Sequence, residues 1–238
     1  MRQLIDRIYF QEDNMQVFTE KRFCIALIAA ALIMVSVPNS PASTPSDEDL
    51  DARVKKYLDS HNWGYGDMNV PAVDGQTLHD IIVKNKYTRA LEIGTSTGHS
   101  GIWIAWALSK TGGKLITIDI DEQRHGEALE NFAAAGLSDY IDARLGDAHE
   151  IVPSLEGPFD FVFSDADKGW YKNYLIAVLP KLEVGGCYTT HNVSMPGRGR
   201  RGRGGSGDYM EYLMSLPNLE TTVDSRGGGL AISYKKSE

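Results

Sequence analysis

Residues 89–100 read RALEIGTSTGHS, an apolar run of strand length that passes directly into a glycine-rich turn. Doubly wound α/β folds bind nucleotides at such a turn, at the carboxyl end of the first parallel strand. Gly94 and Gly98 allow the backbone to approach a ligand closely, and the following helix points its N-terminus at it. The G-x-x-x-G spacing matches neither the dinucleotide fingerprint G-x-G-x-x-G nor the phosphate-binding loop G-x-x-x-x-G-K-[ST]. The turn therefore predicts a ligand site without identifying the ligand.

Strands and helices alternate after this turn. Further strands are predicted at 115–119, 140–145, 159–164 and 186–190, and helices near 100–110, 122–135, 147–155 and 169–181. Strands that alternate with helices pair in parallel. Two more strands, at 219–224 and 229–235, predict a closing hairpin. The sequence thus predicts an α/β fold with a doubly wound, Rossmann-like seven-stranded sheet whose last strand is antiparallel. Asp74 is predicted to cap a helix that runs to Asn85, and Asp167 to cap the helix after the fourth strand.

Polar side chains follow successive strands of the predicted sheet at the points where the strands end. Asp119 ends the second strand, where an acid can accept both hydroxyls of a ribose. Gly146-Asp147-Ala148 follows the third strand, and Ser164-Asp165-Ala166-Asp167-Lys168 ends and follows the fourth. Because the carboxyl ends of parallel strands share one edge of the sheet, we expect these groups to face the same crevice.

The sequence resembles the cation-dependent O-methyltransferases in five runs that occur in order. These runs are LEIGTSTGHSGIWIA (91–105), ITIDID (116–121), GDA (146–148), FDFVFSDADKGWYKNY (159–174) and LEVGGCYTTHN (182–192). The family comprises the caffeoyl-CoA and catechol O-methyltransferase-like members of the class I S-adenosylmethionine (SAM) methyltransferases. The resemblance extends from Val70 to the C-terminus, and its most specific element is D-A-D-K with the downstream G-G-x-x-x-x-x-N.

This resemblance implies a cofactor, a cation and an acceptor. The cofactor is SAM, and the implied contacts are Val70, Glu92, Gly94, Ser100, Asp119, Ala148 and Asp165. A divalent cation (Mn, Co, Fe or Mg) is implied at Asp165 and Asn192, and a catalytic role at Lys168. The implied partners are a small-molecule aromatic acceptor with neighbouring hydroxyls and a second copy of the chain in a homodimer.

The implied chemistry suits these residue types. A simple phenol has a pKa of about 10 and is mostly protonated at neutral pH. A cation chelated by two neighbouring hydroxyls lowers that pKa and fixes the attacking oxygen in place. Lys168 can stabilise the phenolate or accept its proton. The alternative for Lys168 is a solvated lysine at the start of a helix.

The sequence departs from the family at Thr190-His191-Asn192, where the family has an Asp-Asn pair. Histidine favours Mn, Fe, Co or Zn, whereas Mg prefers oxygen ligands. Three interpretations of His191 remain open. It is a metal ligand beside Asp165 and Asn192, a catalytic general base in a metal-independent small-molecule methyltransferase, or a side chain that points elsewhere.

Residues 196–207 read PGRGRRGRGGSG and carry Arg198, Arg200, Arg201 and Arg203. This segment is either a solvated connection or a lid that recruits an anionic group of the acceptor. The net charge of the whole chain is −8, so a nucleic-acid partner is not expected. Trp170 and Tyr171, beside Lys168, either wall the acceptor site or pack within their helix. Trp103 and Trp106 are predicted to belong to the core.

The first part of the 238-residue chain does not belong to the predicted fold. Residues 23–37 carry no charge and follow Lys21 and Arg22, which is typical of a signal peptide or an N-terminal membrane anchor. We expect residues 1–42 to form that segment and residues 43–238 to form a single SAM-dependent methyltransferase domain. The domain would then be exported, either periplasmic or secreted, or anchored by an N-terminal membrane contact. A cytoplasmic location is the alternative, since SAM is made there.

Two other functions compete with methyl transfer. An NAD-dependent oxidoreductase would use a similar sheet, but no Tyr-x-x-x-Lys pair occurs in the sequence and the glycine spacing is wrong. A non-catalytic protein of the same fold would bind a small molecule without turnover. Only two cysteines are present, which excludes a disulfide framework.

Overall fold

The computed structural model describes residues 47–61, 63, 68–195 and 206–238. The helices formed by these residues are α1 (Asp47–Ser60), α2 (Ala72–Asn85), α3 (His99–Thr111), α4 (Glu122–Ala135), α5 (Ala148–Ser154), α6 (Tyr171–Val178) and α7 (Ser206–Ser215). The strands are β1 (Arg89–Ile93), β2 (Lys114–Asp119), β3 (Ile141–Leu145), β4 (Phe159–Ser164), β5 (Leu182–His191), β6 (Leu219–Asp224) and β7 (Leu230–Lys235).

The described strands form one seven-stranded sheet in the order β3-β2-β1-β4-β5-β7-β6. β1 to β5 pair in parallel, whereas β7 is antiparallel to both β5 and β6. The predicted fold class is confirmed. The strand order reverses between β1 and β4, and ligands of doubly wound sheets bind above the carboxyl ends of such a pair.

β5 is longer than the sequence predicts. It begins at Leu182, which pairs with Phe159, whereas Cys187 pairs with Phe161. The extra residues of β5 form a bulge. Gly185 lies in this bulge and has a φ of +89°, a conformation that residues with a side chain rarely adopt. The irregular stretch breaks the apolar pattern, which explains why the pattern alone marks only the later residues of the strand.

The sheet is buried on both faces because helices cover both. β4 is buried along its whole length, and its side chains alternate between the two layers. Phe161 packs with residues of α2 and α3 on one face, and Val162 packs with residues of α6 on the other. Trp103 is buried, as predicted, whereas Trp106 is only half-buried and donates a hydrogen bond to Asp51 Oδ1 at 2.6 Å.

Two capping predictions are wrong. α2 begins at Ala72 after Pro71, so Asp74 lies within its first turn, and its buried carboxylate bonds to His191 and the Gly228 N–H instead of capping the helix. α6 begins at Tyr171, and Asp167 instead accepts a hydrogen bond from the Gly169 N–H at 2.9 Å. In both cases the carboxylate is used by tertiary structure or by a local turn, which the spacing of residues does not distinguish from a cap.

The N-terminal segment 1–42 and the arginines at 198, 200, 201 and 203 lie outside the described residues. Their predicted roles as a signal peptide or anchor and as an acceptor-recruiting lid stay predictions. In the part of the chain that the structure describes, no helix has the length and apolar character needed to cross a membrane.

Candidate functional site

A cavity of about 580 Å³ opens at the carboxyl ends of β1, β2, β4 and β5. Small-molecule sites usually have volumes of about 300–1,000 Å³. Nine of the ten predicted site residues line its walls: Val70, Gly94, Ser100, Asp119, Ala148, Asp165, Lys168, His191 and Asn192. The tenth, Glu92, lies behind the wall and is fully buried. The sheet topology therefore brings the predicted groups together.

The turn after β1 approaches the opposite wall closely. Gly94 has a φ of +101°, and a Cβ at this position would lie 2.7 Å from the backbone oxygen of Asp165. Only glycine satisfies both the backbone conformation and this approach. The Gly94 N–H donates to the Ile118 carbonyl at 3.0 Å, which ties the turn to the end of β2.

Asp119 holds this turn through its carboxylate. Its Oδ2 accepts a hydrogen bond from the Ser96 N–H at 2.7 Å, and its Oδ1 accepts one from the Asp121 N–H at 2.9 Å. An ionised carboxylate offers about four lone-pair positions, so two remain after these bonds. Since Asp119 lines the cavity, those positions can accept two hydroxyls of a ligand.

Glu92 is a buried carboxyl group with an unused acceptor. Its Oε2 accepts a hydrogen bond from Thr117 Oγ1 at 2.6 Å, whereas Oε1 has no partner among the described residues. Burial raises the pKa of Glu92 to about 7. Hydrogen bonds from Ser100 and Thr117 lower the pKa but only partly offset the effect of burial. Since Glu92 lies behind the cavity wall, this acceptor is not exposed to the cavity.

Val70 is held in place by a histidine that the sequence analysis did not single out. His99 Nδ1 donates to the Val70 carbonyl at 3.0 Å, and His99 Nε2 accepts from Trp103 Nε1 at 3.2 Å. Burial lowers the pKa of His99 to about 4. The neutral ring satisfies both partners, whereas a proton on Nε2 would face the indole N–H. His99 therefore fixes the segment that carries Val70.

α5 begins on the cavity wall. Asp147 caps this helix by accepting a hydrogen bond from the His149 N–H at 2.8 Å, which places Ala148 against the cavity. The ring of His149 stacks on Trp170 with centroids 3.8 Å apart. Tyr171 is fully buried in the core, so helix packing accounts for it better than an acceptor wall does.

Lys168, Asn192 and Asp165 meet on one wall. Lys168 Nζ donates to Asn192 Oδ1 at 2.6 Å and lies 4.0 Å from Asp165 Oδ1. Asn192 has a φ of +57°, a conformation that asparagine tolerates better than most residues. A positive charge therefore already stands beside the two oxygen donors that were predicted to bind a cation.

His191 lies between two carboxylates. Its Nδ1 is 3.0 Å from Asp165 Oδ2, and its Nε2 is 2.9 Å from Asp74 Oδ2, with the residue only 3% exposed. Burial opposes protonation of the ring. The hydrogen bonds and charges of Asp165 and Asp74 outweigh burial and raise the pKa of His191 to about 9. The interpretation that His191 points elsewhere is wrong, because the ring points into this cluster.

Asp74 is a site residue that sequence reasoning missed. It is fully buried, and its Oδ2 also accepts a hydrogen bond from the Gly228 N–H at 2.7 Å. Asp74 lies on α2 and Gly228 in the turn between β6 and β7, so neither neighbours His191 in sequence. The contact depends on packing alone, and no local pattern signals it.

Two features of the predicted metal ligands decide whether they could hold a cation: the kinds of donor atom that they offer and the distances between those atoms. Among the described residues, no group of three or more histidine, cysteine, aspartate or glutamate side chains is arranged to hold a metal ion. The predicted set consists instead of one carboxylate (Asp165), one imidazole (His191) and one amide oxygen (Asn192). Cis ligands of a metal are about 3 Å apart when each lies 2.0–2.2 Å from it. The separation of 3.0 Å between Asp165 Oδ2 and His191 Nδ1 is compatible with that spacing.

Comparison with known proteins gives one family. Residues 43–214 match the sequence model of a family described as O-methyltransferase. Catechol O-methyltransferase from Niastella koreensis is 39% identical over 112 residues, which are 45% of this chain and 50% of that protein. Caffeoyl-CoA O-methyltransferase 1 from Eucalyptus globulus is 32% identical over 147 residues, 60% of this chain and 58% of that protein. The matched part of the chain thus spans about half the length of these curated relatives.

Solved structures share the fold. An O-methyltransferase from Bacillus cereus in complex with S-adenosylhomocysteine (SAH) is 26% identical, with a TM-score of 0.63 over 82% of this chain and 94% of that one. An O-methyltransferase from Streptomyces achromogenes in complex with SAM is also 26% identical, with a TM-score of 0.62 over 82% and 93% of the two chains.

Proposed function

Because this chain belongs to the O-methyltransferase family, we propose that it transfers a methyl group from SAM to a hydroxyl of a small, catechol-like aromatic acceptor. The observation that carries the proposal is that the Gly94 turn, Asp119 and the Asp165–Lys168–Asn192 wall all line one cavity. The family match does not favour an NAD-dependent oxidoreductase, the alternative that the fold alone leaves open.

The cavity offers the groups that SAM requires. When bound, SAM supplies an activated methyl group on a sulfonium sulfur. Asp119 would accept the ribose hydroxyls, and Ala148 lies where α5 meets the cavity. These features support SAM better than a dinucleotide, whose fingerprint the turn lacks.

A divalent cation would lie among Asp165, His191 and Asn192. When bound, it supplies a positive charge that lowers the pKa of an acceptor hydroxyl and fixes its oxygen. A site with one imidazole and two oxygen donors favours first-row transition metals over Mg. Asn192 Oδ1 accepts a hydrogen bond from Lys168 Nζ at 2.6 Å, so a cation bound to its second lone pair would lie close to the Lys168 ammonium and repel it.

Lys168 is the one lysine or arginine among the described residues that line the cavity. In the transfer, the acceptor oxygen forms a bond to the methyl carbon as the carbon–sulfur bond breaks, and the hydroxyl proton leaves the oxygen. An ammonium released from Asn192 can stabilise the negative charge that develops on that oxygen. As a neutral amine, its Nζ can instead take the proton.

A metal-independent reaction with His191 as general base is the second candidate. Both ring nitrogens of His191 already face carboxylates at 3.0 Å and 2.9 Å. Neither nitrogen is therefore free to take a proton from an acceptor unless Asp165 or Asp74 releases the ring. This arrangement argues against His191 as a general base.

Chelation tests the cation. We expect exhaustive treatment with a chelator to abolish methylation of a catechol, and Mn, Co or Fe to restore it better than Mg. The His191→Asp variant should shift the preference back toward Mg, because it replaces the nitrogen donor with oxygen. SAH affinity, measured by titration calorimetry, is the control and should not change on chelation. Full turnover after metal removal would contradict the cation while leaving methyl transfer intact.

A further inference from the structure

Asp74 is a charged residue without an assigned role, and it is sealed inside the protein. Its carboxylate is fully buried behind the turn between β6 and β7. Oδ2 receives hydrogen bonds from His191 Nε2 at 2.9 Å and from the Gly228 N–H at 2.7 Å. Oδ1 has no hydrogen-bond partner among the described residues. A carboxylate this far from water is costly unless a proton donor faces it, so the Nε2 of His191 must carry a proton.

The turn that covers Asp74 is shaped around this contact. A Cβ at Gly228 would lie 2.5 Å from His191 Nε2, and one at Gly227 would clash with the Asp74 carboxylate. The two glycines therefore let the chain close over the pair. Any larger residue at either position would push against Asp74 or His191. The turn can therefore cover this pair only with glycine at both positions.

The proton on Nε2 decides what the other nitrogen can do. A neutral histidine with its proton on Nε2 presents a lone pair at Nδ1. Without a cation, Nδ1 lies 3.0 Å from Asp165 Oδ2 and carries a proton there, which a cation bound between the two residues would replace. A histidine that binds a metal through one nitrogen usually donates its other N–H to a carboxylate, which fixes the ring and strengthens the ligand.

We propose that Asp74 is the positioning residue of a metal site: it holds the Nε2 proton of His191 and thereby directs Nδ1 at a cation shared with Asp165 and Asn192. The inference rests on the cation of the proposed function. Asp74 does not touch the cation or the acceptor, and it acts only through His191.

The test measures metal affinity and the protonation pattern of the His191 ring. Mn²⁺ binding to the full chain is titrated by electron paramagnetic resonance for the wild type, Asp74→Asn, Asp74→Ala and Gly228→Ala. Removal of such a supporting partner typically weakens metal binding about 10- to 100-fold. We expect Asp74→Ala to fall in this range and Asp74→Asn to lose less, because an amide oxygen can still accept from Nε2. Gly228→Ala should also weaken Mn²⁺ binding, because the added methyl group would displace the His191 ring.

Asp80→Asn is the matched control, since Asp80 lies on the same helix but is exposed and bonds to Gln76 and His79. SAH affinity should be the same in the Asp74 and Asp80 variants as in the wild type, which shows that their fold is intact. Gly228 lines the cavity, so the fold of Gly228→Ala is checked by its unfolding transition instead. Long-range proton–nitrogen NMR spectra, assigned with His191→Gln and recorded with diamagnetic Zn²⁺ in place of Mn²⁺, should show the Nε2 proton in the wild type and its loss in Asp74→Ala.

The outcomes separate the two proposals. If the wild type binds Mn²⁺ and the Asp74 and Gly228 variants bind it equally well, the positioning role is overturned and the cation-dependent reaction stands. If the wild type binds SAH but no Mn²⁺, the proposed cation site is refuted, and the positioning role of Asp74 is refuted with it. Weakened Mn²⁺ binding in Asp74→Ala and Gly228→Ala, with unchanged SAH affinity in Asp74→Ala and with Asp80→Asn like the wild type, supports the positioning role.

Discussion

Replacement of Asp119 by alanine should weaken the binding of SAH strongly. The carboxylate lines the cavity with two lone-pair positions left after its bonds to the Ser96 and Asp121 N–H groups. Hydrogen bonds to a charged group contribute about 1.5–3 kcal/mol each, but part of the loss is recovered by water. We therefore expect a net loss of about 1–3 kcal/mol, which raises the dissociation constant about 5- to 150-fold.

The same substitution also loosens the turn in the free protein. Since Asp119 accepts two backbone N–H groups that Ala cannot serve, the free energy of unfolding should fall by about 2 kcal/mol. Asp119→Asn retains one acceptor oxygen and should lie between the wild type and Asp119→Ala in both measurements. Titration calorimetry with SAH, performed well below the unfolding transition, separates lost affinity from lost folded protein.

Asp142→Ala is the control for Asp119→Ala. Asp142 is exposed on β3, and its carboxylate pairs only with Arg144 at 2.7 Å in the contacts observed. Exposed pairs of this kind contribute about 0–1 kcal/mol, so its removal should leave SAH affinity unchanged. If Asp119→Ala binds SAH within twofold of the wild type, the carboxylate does not hold the ribose and the assignment of this wall to the cofactor is refuted.

The buried His99 should make the protein acid-sensitive: its folded-state pKa of about 4 lies below the usual 6.5, so stability is present above pH 6.5 and is lost as pH falls toward 4. Urea unfolding should show a loss of about 2 kcal/mol from this residue between pH 7 and pH 5, and the loss should disappear in His99→Gln. Gly94→Ala should lower SAH affinity at least tenfold, whereas Gly112→Ala, which shares a positive φ but has nothing within 4 Å, should cost stability alone; equal SAH affinity in both would contradict the close approach. Lys168→Ala should lower kcat by about 10²- to 10⁴-fold with unchanged SAH affinity, in contrast to Lys172→Ala on α6, and a kcat near that of the wild type would remove Lys168 from the reaction.

Much of the cofactor wall could be predicted from the sequence because the topology of a parallel sheet converts order along the chain into proximity. The carboxyl ends of β1, β2 and β4 share one edge, so Gly94, Asp119 and Asp165 had to meet once the strands alternated with helices. Gly94 could also be recognised from the sequence alone, because a turn with a positive φ that approaches the Asp165 backbone closely accepts few residues other than glycine. These features depend on short-range patterns and on a connection rule that most such folds obey.

The contacts of His191 and His99 could not be predicted in this way. Asp74 and His191 are 117 residues apart, and their contact requires α2 to pack beside the sheet and the Gly227–Gly228 turn to close over it. At position 74 the sequence shows an acid near a helix start, which is equally typical of a cap. The same holds for His99, whose neutral state follows from burial between Val70 and Trp103.

The sequence by itself therefore determined the doubly wound sheet and which residues stand at the ends of its strands. Only the tertiary structure decided which of those groups carry protons and which are held by a buried partner. The physical reason is that hydrophobic periodicity and glycine placement act locally, whereas desolvation and charge pairing depend on every segment packed around a group. For this reason the residues next to His191 in the chain do not decide between its possible roles. The contact with Asp74, which is far away in sequence but 2.9 Å away in space, reduces the number of those roles.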